Sequence, residues 1–122
     1  MSKKILIAED EFEILKMLTD MLTVAGFTVE PAQDGEEALE KINKDRFDLI
    51  LLDMQMPNKD GFVVLESLNR QGKLSEQKVV ILSNIDDDKW IKRAKELGAI
   101  DYWLKIDIHL TDLVDKVKKL LG

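Results

Sequence analysis

Several chemically capable side chains follow directly after short apolar runs of this sequence. Such short, branched, apolar runs are typical of strands buried on both faces of a parallel sheet. A charged or polar group that emerges at the end of such a strand needs a partner or a function, because burying an unpaired charge is costly. The side chains in question are Glu9, Asp10, Asp53, Ser83 and Lys105.

The three carboxylates of this set, Glu9, Asp10 and Asp53, are expected to lie close together. At an effective dielectric constant of ~20, each close pair of carboxylates repels by on the order of a few kcal/mol. They must therefore lose charge or hold a cation. Hard oxygen ligands, in a chain that has no Cys, favour Mg²⁺.

Lys105 and Ser83 add two groups that suit a phosphoryl oxygen. Lys105 carries a positive charge on a long side chain, which can pair with Asp53 or with phosphate. The Ser83 hydroxyl can donate a hydrogen bond to the same oxygen. Together with a metal, these groups make an acyl-phosphate site in which Asp53 is the nucleophile and the protein positions groups and neutralises charge.

The elements that must position these side chains alternate along the chain. Apolar runs predict strands, and three- and four-residue apolar spacing predicts helices between them. Such alternation indicates right-handed crossovers and a parallel sheet with helices on both faces, which binds ligands at the carboxyl ends of its strands. Pro31 favours an edge position for the second strand. The strands are expected at 4–8, 28–32, 47–52, 78–82 and 100–104, and the helices at 11–25, 34–43, 62–70, 86–97 and 110–121.

The composition agrees with one globular domain over residues 1–122. Hydrophobic residues make up 45% and charged residues 34% of the chain, which are globular values. No apolar stretch reaches the ~18 residues of a membrane span, and the N-terminus is unlike a signal peptide, so we expect a cytoplasmic protein with no membrane partner. The net charge of −6 argues against direct nucleic-acid binding.

Over essentially its whole length the chain resembles the receiver domain of two-component response regulators, most closely the stand-alone, chemotaxis-type receivers. Four motifs in order carry the resemblance: KILIAEDE (4–11), DLILLDMQMPNKDG (48–61), VVILS (79–83) and AKELGAIDYWLK (94–105). The resemblance implies an α/β fold of the flavodoxin-like type, a three-layer doubly wound (βα)5 arrangement around a five-stranded parallel sheet. It also implies a signalling module, not a conventional enzyme, that promotes its own phosphorylation and dephosphorylation.

The resemblance further implies a phosphorylation site and a metal site. Asp53 would accept a phosphoryl group from a sensor histidine kinase, a phosphotransfer protein or a small phosphodonor. Glu9, Asp10, Asp53 and the backbone carbonyl of Gln55 would hold Mg²⁺ as the cofactor.

The same resemblance assigns the switch. Ser83 and Lys105 would contact the phosphoryl group, and Tyr102 would change rotamer when Ser83 moves. The added negative charge would reshape the face made by the fourth helix, fifth strand and fifth helix, which would bind a downstream target protein.

Four positions depart from common patterns of that family. Glu9 stands where many members have Asp, which leaves a carboxylate, and Asn84 is bulkier than the usual small residue and could narrow access to the phosphoryl group. Ile106 replaces the usual Pro after Lys105, which raises the question of a cis or trans bond there. Ile85 cannot orient an attacking water, so we hypothesise slow self-dephosphorylation.

Other interpretations of these residues remain. A degenerate receiver would act only by protein binding, and a Mg²⁺-dependent aspartyl-phosphate phosphohydrolase would need a second acid where Gln55 stands. A flavin carrier would need a phosphate-binding loop after the first strand. His109 fits a surface position, Tyr102 could be a core aromatic, and Trp90 packs or lies on the partner-binding face.

Overall fold

The computed structural model of this chain describes residues 2–105 and 110–122, and strands and helices alternate throughout them. This alternation follows the predicted periodicity, with small shifts at the ends of some elements. In chain order the elements are β1 (Lys4–Ala8), α1 (Phe12–Val24), β2 (Thr28–Ala32), α2 (Gly35–Lys44), β3 (Leu49–Asp53), α3 (Gly61–Arg70), a 3₁₀ helix (Lys73–Ser75), β4 (Lys78–Ser83), α4 (Asp88–Glu96), β5 (Asp101–Leu104) and α5 (Leu110–Leu121).

The strands form one parallel sheet in the order β2-β1-β3-β4-β5. This order confirms the predicted doubly wound α/β fold, because the chain first adds a strand on one side of β1 and then on the other. β2, which contains Pro31, lies at the edge as predicted. From β1 the strand order runs to β2 on one side, and from β3 it runs to β4 and β5 on the other. The carboxyl ends of β1 and β3 therefore lie beside a crevice.

Two hydrophobic cores lie on opposite sides of the sheet, because successive strand residues point to opposite faces. Ile5 and Ile7 pack with α1 and α5, whereas Leu6 and Ala8 pack with α2, α3 and α4. The same alternation separates the two aromatic residues of β5. Tyr102 belongs to the core on the α2–α4 side, and Trp103 to the core on the α1 and α5 side.

Three local expectations were wrong. β3 begins at Leu49 instead of residue 47. The Phe47 N–H donates to the Gln77 side chain at 2.8 Å and so does not take part in the hydrogen bonds of the sheet. α4 begins at Asp88, because the Asp87 carboxylate caps the helix from outside it.

The third error concerns α3, where the apolar spacing over residues 62–70 predicts that Val63 faces inward together with Phe62, Leu65 and Leu68. Val63 is 43% exposed and Val64 is fully buried. Buried positions 61, 64, 65 and 68 follow the i, i+3, i+4, i+7 spacing of one helix face, buried Phe62 lies at the edge of that face, and position 63 lies outside it. The 3₁₀ helix was not predicted. Within residues 2–105 and 110–122, no helix is long and apolar enough to cross a membrane.

Candidate functional site

The predicted site residues stand at the carboxyl ends of four strands. Asp53 is the last residue of β3 and Ser83 the last residue of β4, while Glu9 follows β1 and Lys105 follows β5. Because these strands are parallel, their carboxyl ends share one edge of the sheet. The sheet therefore gathers residues that are far apart in the sequence.

One ammonium group contacts two buried carboxylates at this edge. Lys105 Nζ lies 3.1 Å from Asp53 Oδ2, and it lies 3.1 Å and 3.3 Å from the two carboxylate oxygens of Glu9. Glu9 has no exposed surface and Asp53 is 4% exposed. The Lys105 side chain is 21% exposed. The charged groups are therefore largely shielded from water, which strengthens their interactions.

Burial and charge shift the titration of this group. Burial, with a further contribution from the neighbouring Asp53, raises the pKa of Glu9 to about 8, although Lys105 opposes the shift. Burial lowers the pKa of Lys105, but the carboxylates of Asp53 and Glu9 outweigh burial, so that the pKa is raised overall. At neutral pH and without a cation, Lys105 is therefore charged and Glu9 holds a proton.

The carboxylates of Glu9, Asp10 and Asp53 also form a set that fits a divalent cation. Each offers one oxygen, and these oxygens lie within 4.8 Å of one another. Glu9 and Asp53 are buried, whereas Asp10 is exposed. A partly buried set of hard oxygen donors that opens to solvent suits Mg²⁺, which keeps several of its waters.

An open cavity of about 470 Å³ reaches this cluster at Asp10. Gln55, whose backbone carbonyl was predicted to complete the metal site, is exposed there, and its N–H donates to Asp53 Oδ1 at 3.2 Å. The cavity is open to solvent on the side of Asp10. Its lining residues are Asp10, Met54, Gln55, Met56 and Asp60.

Hydrogen bonds and close packing hold the loop between β3 and α3. The Asp34 carboxylate caps α2 through the Glu37 N–H at 2.8 Å and accepts from the Asn58 side chain at 2.7 Å. Asn58 has a positive φ of 68°, a conformation that Asn tolerates better than most residues. A Cβ on Gly61 would lie 2.5 Å from the Asp53 carbonyl oxygen. Glycine thus permits α3 to begin against the end of β3.

Ser83 and Tyr102 lie on the other side of the site and meet at the loop after β4. The Ile85 N–H donates to Ser83 Oγ at 2.9 Å, and the Tyr102 hydroxyl donates to the Ile85 carbonyl at 2.8 Å. Ser83 is 2% and Tyr102 8% exposed, and burial raises the pKa of Tyr102. The backbone of one residue therefore connects the two side chains that were predicted to form a switch.

Other residues named from the sequence fall outside this centre. Trp90 is 36% exposed and packs on Phe62, with ring centroids 5.4 Å apart. Asn84 is exposed. The bond between Lys105 and Ile106, and His109, lie outside the described residues.

Sequence reasoning missed one residue of the site, Met54. Its sulfur lies 3.4 Å from Ser83 Oγ and 3.5 Å from the Tyr102 hydroxyl oxygen. An apolar residue directly after the strand gave no chemical signal in the sequence, because Met normally indicates packing.

Comparisons with known proteins identify the family of this chain. The family model described as the response regulator receiver domain matches residues 5–118. Sporulation initiation phosphotransferase F of Bacillus subtilis is 34% identical, and the alignment covers 99% of this chain and 95% of that protein. The transcriptional regulatory protein CrdR of Helicobacter pylori is 31% identical, and the alignment covers all of this chain but 56% of that protein. The chain thus spans nearly all of one curated relative and about half of the other.

Solved structures share the fold at similar levels of identity. The receiver domain of the Francisella response regulator 1452 superposes with a TM-score of 0.90 at 30% identity, and 98% of this chain and 97% of that chain are covered. The chemotaxis response regulator CheY4 of Vibrio cholerae also gives a TM-score of 0.90 at 29% identity, with 99% and 100% covered.

Proposed function

The chain belongs to the family of response regulator receiver domains, and on that premise we propose that it is a phosphorylation-switched module in which Asp53 accepts a phosphoryl group. The observation that carries this proposal is the contact of 3.1 Å between Lys105 Nζ and Asp53 Oδ2 beside three clustered carboxylates. A nucleophilic carboxylate, a fixed ammonium group and a cation site are what phosphoryl transfer to Asp requires.

The transfer step follows from these positions. An Asp53 carboxylate oxygen attacks the phosphorus of a phosphohistidine or a small acyl phosphate, and an O–P bond forms while the donor's bond to phosphorus breaks. The donor leaves as free imidazole or carboxylate. Lys105, already beside Asp53, pairs with a phosphoryl oxygen as charge collects there.

Glu9, Asp10, Asp53 and the Gln55 carbonyl would hold Mg²⁺. Bound there, the ion would neutralise negative charge on the phosphoryl oxygens. The chain's own contribution is to hold Glu9 and Asp53 in a shielded position, with Asp10 at the solvent-exposed side.

The readout would pass through Ser83 and Tyr102. The phosphoryl group adds about −1.5 to −2 charge, and the Ser83 hydroxyl would turn to donate to it. Because Ile85 connects Ser83 to Tyr102, this movement would shift Tyr102 and the face of α4, β5 and α5. A sensor histidine kinase or phosphotransfer protein would be the donor, and a downstream protein would bind the changed face.

The lifetime of the phosphorylated state depends on Ile85. Its side chain is partly buried against the core, and it has no polar group to orient an attacking water. We therefore expect slow self-dephosphorylation, and a half-life of only seconds in purified protein with Mg²⁺ would contradict this expectation.

Intact-mass spectrometry with acetyl phosphate and Mg²⁺ tests the proposed function. The wild-type chain and the control Asp48→Asn, whose residue directly precedes β3, should gain one phosphoryl group. Asp53→Asn should gain none, and a chelator should suppress the gain in the wild type. Failure of the wild type to gain mass would instead favour a receiver that acts by protein binding alone.

A further inference from the structure

The Met54 sulfur lies between the two hydroxyl groups of the site. Ser83 Oγ is 3.4 Å and the Tyr102 hydroxyl oxygen 3.5 Å from Sδ, and all three residues are buried. A thioether sulfur is a weak hydrogen-bond acceptor. Its position is relevant because each hydroxyl has only one proton to donate.

The surrounding hydrogen bonds decide where the two protons go. The Tyr102 proton is used at 2.8 Å by the Ile85 carbonyl, which is nearer and a stronger acceptor than sulfur. Ser83 Oγ already accepts from the Ile85 N–H at 2.9 Å. Its own proton is therefore free to point at Met54 Sδ, which completes a chain of contacts from Tyr102 through Ile85 and Ser83 to Met54.

Two backbone hydrogen bonds hold the main chain of Met54 beside Ser83. The Met54 N–H donates to the Leu82 carbonyl at 2.9 Å, and the Met54 carbonyl accepts from the Gly61 N–H at 3.0 Å. Both the neighbouring strand β4 and the start of α3 thus fix the residue. The side chain is 8% exposed, so water has little access to compete for the Ser83 proton.

From this arrangement we propose that Met54 is a positioning residue, whose sulfur accepts the Ser83 hydroxyl proton in the unphosphorylated protein. The proposal rests on the proposed function, because the phosphoryl group on Asp53 would then be the competing acceptor for the same proton. Met54 stabilises the arrangement of Ser83 and Ile85 in the unphosphorylated protein. On phosphorylation, the hydrogen bond from Ser83 to the Met54 sulfur must break before Ser83 can donate to the phosphoryl group.

The substitution Met54→Leu removes the acceptor and keeps an apolar side chain of similar volume. It leaves the buried Ser83 hydroxyl without its resting partner, so the resting state is weakened relative to the phosphorylated state. We expect the phosphorylated state to last about two- to tenfold longer, the range that loss of one hydrogen bond implies. Met56→Leu is the matched control, because Met56 lines the same cavity and, within residues 2–105, no hydrogen bond joins its sulfur to Ser83 or Tyr102.

A second background separates an effect through Ser83 from general loosening of the loop. In Ser83→Ala the proton is gone, so adding Met54→Leu should leave the lifetime unchanged. The proposal is overturned if Met54→Leu matches the wild type, if Met56→Leu has the same effect, or if the effect of Met54→Leu persists in the Ser83→Ala background.

A readout without phosphorylation keeps this proposal distinct from the proposed function. Amide hydrogen exchange of Ile85 in the unphosphorylated protein should accelerate about two- to tenfold in Met54→Leu, because Ser83 is no longer held in place, and it should not change in Met56→Leu. Unchanged Ile85 exchange in Met54→Leu would overturn the role of Met54. A wild-type chain that takes up no phosphoryl group would instead refute the proposed function.

Discussion

The two halves of the site are built from different interactions. The acidic half consists of Glu9, Asp53 and Lys105, and the Lys105 ammonium group lies 3.1 to 3.3 Å from oxygens of both acids. The hydroxyl half consists of Ser83 and Tyr102, which use neutral hydrogen bonds to one backbone segment. Both halves are buried at the same edge of the sheet. Only in the acidic half does the free energy of burying the side chains change with their charge, and therefore with pH.

This difference separates two tasks. A buried charged cluster is held together by opposite charges, so an added phosphoryl group or cation alters its free energy strongly. Neutral hydrogen bonds contribute less each, and their partners exchange at small cost. The acidic half therefore suits phosphoryl transfer, and the hydroxyl half suits a readout that must move.

The largest expected difference between the halves is a pH dependence that comes from Glu9. Its pKa is raised from 4.5 to about 8 in the folded protein, so between these values the folded state keeps a proton that the unfolded chain has lost. Glu9 therefore lowers the free energy of unfolding as pH rises through this window, by at most about 1.4 kcal/mol per pH unit.

Chemical denaturation between pH 5 and pH 8.5 with a chelator present measures this effect. Glu9→Gln should lose the Glu9 contribution and gain stability relative to the wild type as pH rises, whereas the exposed control Glu11→Gln should follow the wild type. If the free energy of unfolding changed with pH in the same way for the wild type and Glu9→Gln, the raised pKa of Glu9 would be contradicted.

The next largest effect is expected from Lys105. Lys105→Met leaves the buried Asp53 carboxylate without its ammonium partner and should lower the free energy of unfolding by about 1–3 kcal/mol, less than a fully buried pair would lose because Lys105 is partly exposed. The control is Lys16→Met, which breaks an exposed pair with Asp20 and should cost no more than about 0.5 kcal/mol. Urea denaturation at pH 7 compares the two variants. Equal losses of stability would contradict the claim that the buried contacts of Lys105 contribute more than an exposed ion pair.

The smallest effect is expected in the hydroxyl half. Tyr102→Phe removes the donor to the Ile85 carbonyl and should cost about 0.5–1.5 kcal/mol, with little change between pH 6 and pH 8. Thr23→Val is the control, because it deletes an exposed hydroxyl that donates to a backbone carbonyl within α1. Thermal denaturation at both pH values measures the difference in stability between the wild type and Tyr102→Phe. A difference that changed with pH as steeply as the Glu9 contribution does would contradict the comparison.

The fold and the acidic half could be predicted because both follow from coarse patterns. Apolar runs and helical spacing fixed the order of the elements, and parallel topology brings residues at strand ends together whatever their separation in sequence. Asp53 and Lys105 are 52 positions apart, yet parallel topology places both at the same edge of the sheet, where the long Lys105 side chain reaches Asp53. Long, oppositely charged side chains can then pair over a range of backbone positions, so their contact does not depend on exact geometry.

The hydroxyl half could not be predicted in the same way. The contact of Ser83 with Met54 depends on rotamers and on tenths of an ångström, and nothing in the residue type of Met54 indicates an acceptor. The sequence also did not indicate how far each acid is buried: Glu9 is buried, whereas its neighbour Asp10 is exposed. The exposure of Val63 depended on which face of α3 turns inward, and that face carries residues 61, 64, 65 and 68.

The most direct test of the central claim is to locate the phosphoryl group. Acetyl phosphate and Mg²⁺ are added to the wild-type chain, the acyl phosphate is trapped by borohydride reduction, and peptides are sequenced by tandem mass spectrometry. We predict reduction of a single carboxyl group, that of Asp53. Reduction at Glu9, Asp10 or another acid in place of Asp53 would contradict the account, as would a chain with no reduced residue.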